Sequence, residues 1–335
     1  MATKETQILD NIIASRRALL VGGGAALAAL ALPGTAKAAN TVSAYGDTDI
    51  LNFALNLEYL EANFYYLAAF GTNITQSNPL YPTGAMIQGI TGTGTQGTVI
   101  VKPTPKVPFT NLAVAAYAVE TAVEEGKHVA FLRSALGSAA VAQPQIDLLG
   151  SWNTLASAAL IGPAFDPFAN DATFLIGAYV FEDVGVTAYH GAASLFTTGT
   201  TGKTYLSAAA GILAVEAYHA GLVRTTINAK DDGTLGVPAG AMVNYTNLIS
   251  TLRAKLSLAA LSTAPNPDDF GLATASVSLN GSSVTRSGIV DADANVLAFS
   301  RNTTQVLNIV TGGGATGSGT AKGVFFPNGL NGLFS

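Results

Sequence analysis

Past its first few residues, the chain confines every glutamate and all three histidines to four apolar segments, and two of these repeat a Glu-x-x-His spacing. The segments hold Glu58 and Glu61; Glu120, Glu124, Glu125 and His128; Glu182 and His190; and Glu216 and His219. Glutamate is a good helix former that ordinarily dots solvent-facing helix surfaces, so its absence elsewhere marks these positions as ones that need a carboxylate. Apolar residues recur with helical period over residues 48–70, 110–136, 171–196 and 204–228, each stretch long enough for one rod of a bundle. Thr48 or Asp49, Thr110 after Pro108, and Asn170-Asp171 mark helix starts, while Gly71, Gly137 and Gly233 follow the ends of the first, second and fourth rods. The expected fold class is all-α.

The rods read as two copies of one helix pair. Sixty-seven positions separate Glu58 from Glu125 and thirty-four separate Glu182 from Glu216, so an insertion of roughly thirty residues in the first pair accounts for the difference. Tyr65 follows Glu58 by seven positions and Tyr189 follows Glu182 by seven, a step that returns to nearly the same helix face. The Gly, Thr and Pro-rich insertion, residues 71–107, contains an expected extended edge at 96–101. Residues 137–170 must carry the chain between the two pairs, with a short helix expected within 145–160 around Trp152, the chain's one tryptophan. Beyond Lys230 we expect helices at 245–261 and 292–309, a break at Pro265-Asn266-Pro267-Asp268, a polar Ser/Gly/Thr segment, and a glycine-rich tail. The apolar residues there are too sparse for a core of their own, so residues 231–335 read as an extension over the bundle.

With no cysteine in the chain, disulfides, thiolate zinc sites and iron–sulfur clusters are excluded, and any metal must use oxygen and imidazole ligands. Residues three apart on a helix lie roughly 60° apart around its axis, so Glu125 with His128, and Glu216 with His219, can each aim a carboxylate and an imidazole at one point. One glutamate from each of the other two rods, Glu182 and either Glu58 or Glu61, completes four carboxylates and two imidazoles, a set suited to iron or manganese. Glu124 faces His128 at four-residue spacing and competes with Glu125, but the matching Glu216/His219 pair favours Glu125. Glu120 stands between a supporting role and a solvated helix face. His190 lies roughly 80° off the face of Glu182, which fits a structural histidine. Tyr65 and Tyr189 are candidates to hydrogen-bond the centre or carry a radical, with packing against a hydroxyl partner the preferred reading for both. Gly199-Thr-Thr-Gly202-Lys203-Thr204 lacks the glycine spacing of a phosphate-binding loop, and no Gly-x-Ser-x-Gly motif occurs.

The order Glu58, Glu125/His128, Glu182, Glu216/His219 resembles the ferritin-like superfamily. Residues 51–61 and 128–137, with Asp291-Ala-Asp-Ala-Asn295 and 307–310, are similar more narrowly to bacterial ferritin-like proteins related to plant desiccation-related proteins. The resemblance implies a ferritin-like four-helix bundle over 48–230, with a long insertion between its first two helices and a C-terminal extension. It implies metal ligands at Glu58, Glu125, His128, Glu182, Glu216 and His219, with Glu61, Glu124, Tyr65, Tyr189 and His190 around them. In that family a tyrosine follows the first ligand by seven residues, which favours Glu58 over Glu61. Two iron ions, two manganese ions or one of each are the implied cofactors. The implied activity is ferroxidase-like or catalase-like redox chemistry on oxygen, peroxide or ferrous iron; the alternative is a non-catalytic envelope scaffold against desiccation stress.

Ser15-Arg16-Arg17 precedes a glycine-rich apolar run of about fifteen residues, Pro33 and the small-residue site Ala36-Lys37-Ala38, the pattern of a twin-arginine export signal over residues 1–38. A bilayer span takes roughly twenty apolar residues, so a retained membrane anchor is the weaker alternative. Export would place the mature protein in the periplasm or outside the cell. The net charge of −5 with no basic cluster argues against nucleic acid as a partner. An assembly of identical chains stays open, but the insertion and extension leave little bundle surface free to tile a storage cage.

Overall fold

A computed structural model describes residues 45–76, 89–259, 267–272, 274–313 and 322–334. The expected leader, residues 1–38, and Pro265 and Asn266 of the expected break lie outside them. Along the described chain run α1 (Asp47–Phe70), β1 (Val99–Ile100), α2 (Leu112–Leu136), β2 (Ile146–Asp147), α3 (Gly150–Ala158), α4 (Asp171–Ala192), α5 (Thr200–Lys230), α6 (Ala241–Ala259), β3 (Thr274–Leu279), β4 (Ser282–Ser287) and α7 (Thr303–Thr311).

Local chemistry sets the helix ends. The Asn111 side chain accepts from the N–H groups of Ala113 and Val114, Asn170 caps α4 through Thr173, and Gly71 closes α1 in the left-handed region at φ +80°. The helix expected over 292–309 forms only from Thr303. The Asp293 carboxylate accepts the N–H groups of Asn295 and Leu297, a local turn that competes with helix, and Asn302 then supplies the cap. The polar stretch before it holds a hairpin that periodicity does not reveal. β3 and β4 pair antiparallel with Leu279 opposite Ser282, and Asn280 and Gly281 both take positive φ, as a type I′ turn requires.

α1 packs chiefly on α2, and α4 on α5. Both pairs are antiparallel: Tyr66 lies against Gly126 while Tyr59 meets Arg133, and Gly185 lies against Glu216 while Asp183 meets Arg224. The insertion lies along the crossover between the pairs, with β1 pairing parallel to β2. This cover buries α1 almost throughout. Phe64 on α1 centres an aromatic cluster with Trp152, Phe168, Phe174 and Phe181, into which Phe325 of the extension inserts.

Buried charge also joins the extension to the bundle. Arg253 on α6 donates to Asp183 on α4 and to Asp269, each at 2.8 Å; Arg224 on α5 donates to Asp183 at 2.9 Å; and Arg301 donates to Asp269 at 2.9 Å. Residues 231–334 therefore share one core with the bundle, as far as they are described.

Candidate metal centre

The four bundle helices bring the six expected side chains together inside the core. Glu58, Glu125, His128 and Glu216 offer ligand atoms that all lie within 4.8 Å of one another, and Glu125, Glu182, Glu216 and His219 do the same. Glu125 and Glu216, from the two Glu-x-x-His motifs, belong to both sets. Each remaining pair, Glu58 with His128 and Glu182 with His219, closes one end.

Distances bear out this division. His128 Nδ1 stands 3.4 Å from Glu58 and from Glu125 and 3.6 Å from Glu216, whereas His219 Nδ1 stands 3.0 Å from Glu125 and 3.4 Å from Glu182. None of these contacts is aligned as a hydrogen bond. Both Nδ1 atoms, both oxygens of Glu125, and one oxygen each of Glu58, Glu182 and Glu216 are buried without a hydrogen-bond partner. Buried polar groups are normally paired, so a cluster of orphaned acceptors with two imidazole nitrogens facing it fits bound cations. Among the described residues, a further acidic trio, Asp183, Asp269 and Asp291, is in part already neutralised by arginine.

Surrounding groups orient the ligands. The Tyr65 hydroxyl on α1 donates to Glu182 on α4, and the Tyr189 hydroxyl on α4 donates to Glu58 on α1, so the two seven-residue spacings act reciprocally across the bundle. Glu124 departs from the expectation of competing for His128: its carboxylate lies 2.8 Å from the outer nitrogen, Nε2, of His219 on α5. Such an outer partner sets the tautomer and orientation of an imidazole ligand. His190 turns away, its Nδ1 3.1 Å from the Phe299 carbonyl oxygen. Glu61 is buried beside the cluster with Oε2 unpartnered.

The electrostatics follow from burial. Desolvation raises the carboxyl of Glu58 to about 7, against the pull of His128, and raises those of Glu61 and Glu216 well above the usual range, with neighbouring carboxylates adding to the effect. Burial acts in the same sense on Glu125, but its two imidazole neighbours outweigh it and hold the carboxyl below the ordinary value. Burial disfavours charge on the histidines, yet the carboxylates raise His128 to about 11 and His219 to about 12. Protons thus do on these imidazoles what cations would do between the carboxylates.

Gly185 on α4 was not singled out by the spacing of titratable residues. A Cβ there would stand 2.2 Å from Glu216 Oε2, so a larger residue would push the shared carboxylate out of its present position. Gly185→Ala should therefore lower metal content at least tenfold at limiting metal while the helical circular dichroism stays unchanged; full loading would show that Glu216 needs no such room.

Residues 46–229 match the family described as a ferritin-like domain. The chain is 29% identical to a desiccation-related protein of Craterostigma plantagineum over 79% of its own length and 77% of that protein. It is 24% identical to a ferritin-like catalase of Nesocodon mauritianus over 85% of its length and 84% of that protein. No solved structure matches the chain.

Proposed function

From the premise that this chain belongs to the ferritin-like domain family, we propose that it is an exported protein holding two iron or manganese ions and disproportionating hydrogen peroxide. The observation that carries the reading is the pair of four-residue sets sharing Glu125 and Glu216, whose buried ligand atoms lack partners. Similarity to a ferritin-like catalase favours peroxide among the oxidants that such a centre could take.

Glu58, Glu125, His128 and Glu216 would hold one ion, and Glu125, Glu182, Glu216 and His219 the other. A bound pair supplies a two-electron couple, and four carboxylates bring it close to charge neutrality. Converting two peroxides to two waters and one dioxygen needs no outside electron donor, only protons moved from one peroxide to the other. Glu61, buried beside these ligands with Oε2 unpartnered, would store and return one there. Tyr65 and Tyr189 fix Glu182 and Glu58 against swinging. Export by a route that carries folded proteins, read from Arg16-Arg17, suits a chain that loads metal before crossing a membrane.

The test begins with metal-depleted protein at pH 7. Because both imidazoles are protonated there, ligation must release their protons, so loading should acidify an unbuffered solution and apparent affinity should rise with pH. Protein loaded with about two manganese or iron ions per chain should then evolve oxygen from peroxide at a rate that follows metal content. Loaded protein that evolves no oxygen sinks the catalytic reading. The similarity to a desiccation-related protein favours a second reading, a non-catalytic scaffold protecting dried surfaces, and protein that takes up neither metal would support it.

A further inference from the structure

We propose that the groove between α2 and α5 outside His128 binds a single-chain amphipathic carboxylate, polar head toward Lys203 and apolar chain along Phe131 and Val215. The starting observation is a break in the repeat. Glu125/His128 matches Glu216/His219, so the counterpart of Glu124 is Val215. Glu124 closes the outer nitrogen of His219 at 2.8 Å, whereas Val215 offers His128 no polar atom, and no described residue hydrogen-bonds the outer nitrogen of His128.

Where a second carboxylate would stand, a groove of about 800 Å³ opens, with His128 and Val215 among its lining residues. The groove is broad and open to solvent, and peroxide, with two heavy atoms, leaves it unexplained. One stripe of α5 forms the wall and changes character along its length. Lys203, Thr204 and Ser207 make the far end polar, and Gly211 and Val215, with Phe131 of α2, make the end near His128 apolar. Phe131 is 47% exposed, an aromatic face left to water unless something covers it. Lys203 has no carboxylate partner among the described residues, so the cation is free for an anionic head. From Lys203 to Val215 the helix rises about 18 Å, roughly the length of fourteen methylene groups in extended form, so a twelve-carbon chain lies within it. Naming this occupant a substrate rests on the metal reading; its binding does not.

Calorimetric titration of the full chain with dodecanoate, below its micelle concentration, tests the proposal. We expect one saturable site per chain. Nothing stands within 4 Å of a Cβ built at Gly211, so Gly211→Trp should fill the groove without disturbing the helix and weaken binding at least tenfold. Val215→Glu, which restores the missing counterpart of Glu124, should do the same. Lys203→Glu should weaken dodecanoate at least fivefold and dodecanol less than twofold. Absence of saturable binding, or equal binding by wild type and the Gly211→Trp and Val215→Glu proteins, overturns the proposal. Metal content of the same samples reports separately on the metal centre, since the titration needs no ion.

Discussion

Glu216→Gln should take the centre from about two ions per chain to nearly none, while making the metal-free protein more stable. Both effects have one cause. Glu216 belongs to both four-residue sets, so removing its charge weakens both sites at once. Without metal, the same carboxyl is buried among Glu125, Glu61, Glu182 and Glu58, and burial together with these neighbours raises its pKa well above the usual range. Glutamine removes that strain and should add roughly 1–2 kcal/mol in urea unfolding at neutral pH. The sign of the pH dependence follows. The folded state binds the extra proton, so metal-free wild type should lose stability relative to the variant as pH rises from the unfolded carboxyl value near 4.5 toward the raised one. Glu58→Gln touches only one set and should keep about one ion. Unchanged metal stoichiometry in Glu216→Gln would refute the shared-ligand assignment.

Arg253→Ala should destabilise the protein by about 3–5 kcal/mol, the usual cost of removing one partner from a buried ion pair. Arg253 is 3% exposed and donates to Asp183, Asp269, Ser250 and the Tyr179 carbonyl oxygen, so its loss takes a donor from buried acceptors on both α4 and the extension and leaves Asp183 to Arg224 and Asp269 to Arg301. Asp183 adjoins Glu182, and metal loading should weaken along with stability. Lys102→Ala provides the contrast: it breaks a pair whose side chains are 26% and 45% exposed and should cost under about 1 kcal/mol. Equal losses in the two variants, measured by urea unfolding, would mean that the arginine network does not bind the extension to the bundle.

How far each feature could be read in advance depends on the range of the interaction behind it. Helix spacing is local, so the four rods and the seven-residue step from Glu58 to Tyr65 were legible in the order of residues. The turn at Asn280-Gly281 was legible too, since that dipeptide favours two consecutive positive φ angles, but the surrounding serines and threonines masked it. The helix expected from Ala292 failed because the Asp293 side chain competes locally for backbone N–H groups, which apolar periodicity does not report.

The partners of the ligand-supporting groups were hidden for a different reason. Tyr65 reaches Glu182 across 117 positions, Tyr189 reaches Glu58 across 131, and Glu124 reaches His219 across 95 instead of its own-helix neighbour His128. The sequence by itself determined the rods, the faces carrying carboxylate and imidazole, and the repeated Glu-x-x-His unit, because these follow from a fixed rotation per residue. Only the tertiary structure decided which carboxylates are shared, why Gly185 must stay small, and that His128 faces an open groove while Glu124 closes the outer nitrogen of His219. Those outcomes depend on how separate helices pack, and packing brings together residues whose separation along the chain carries no information about their distance in space.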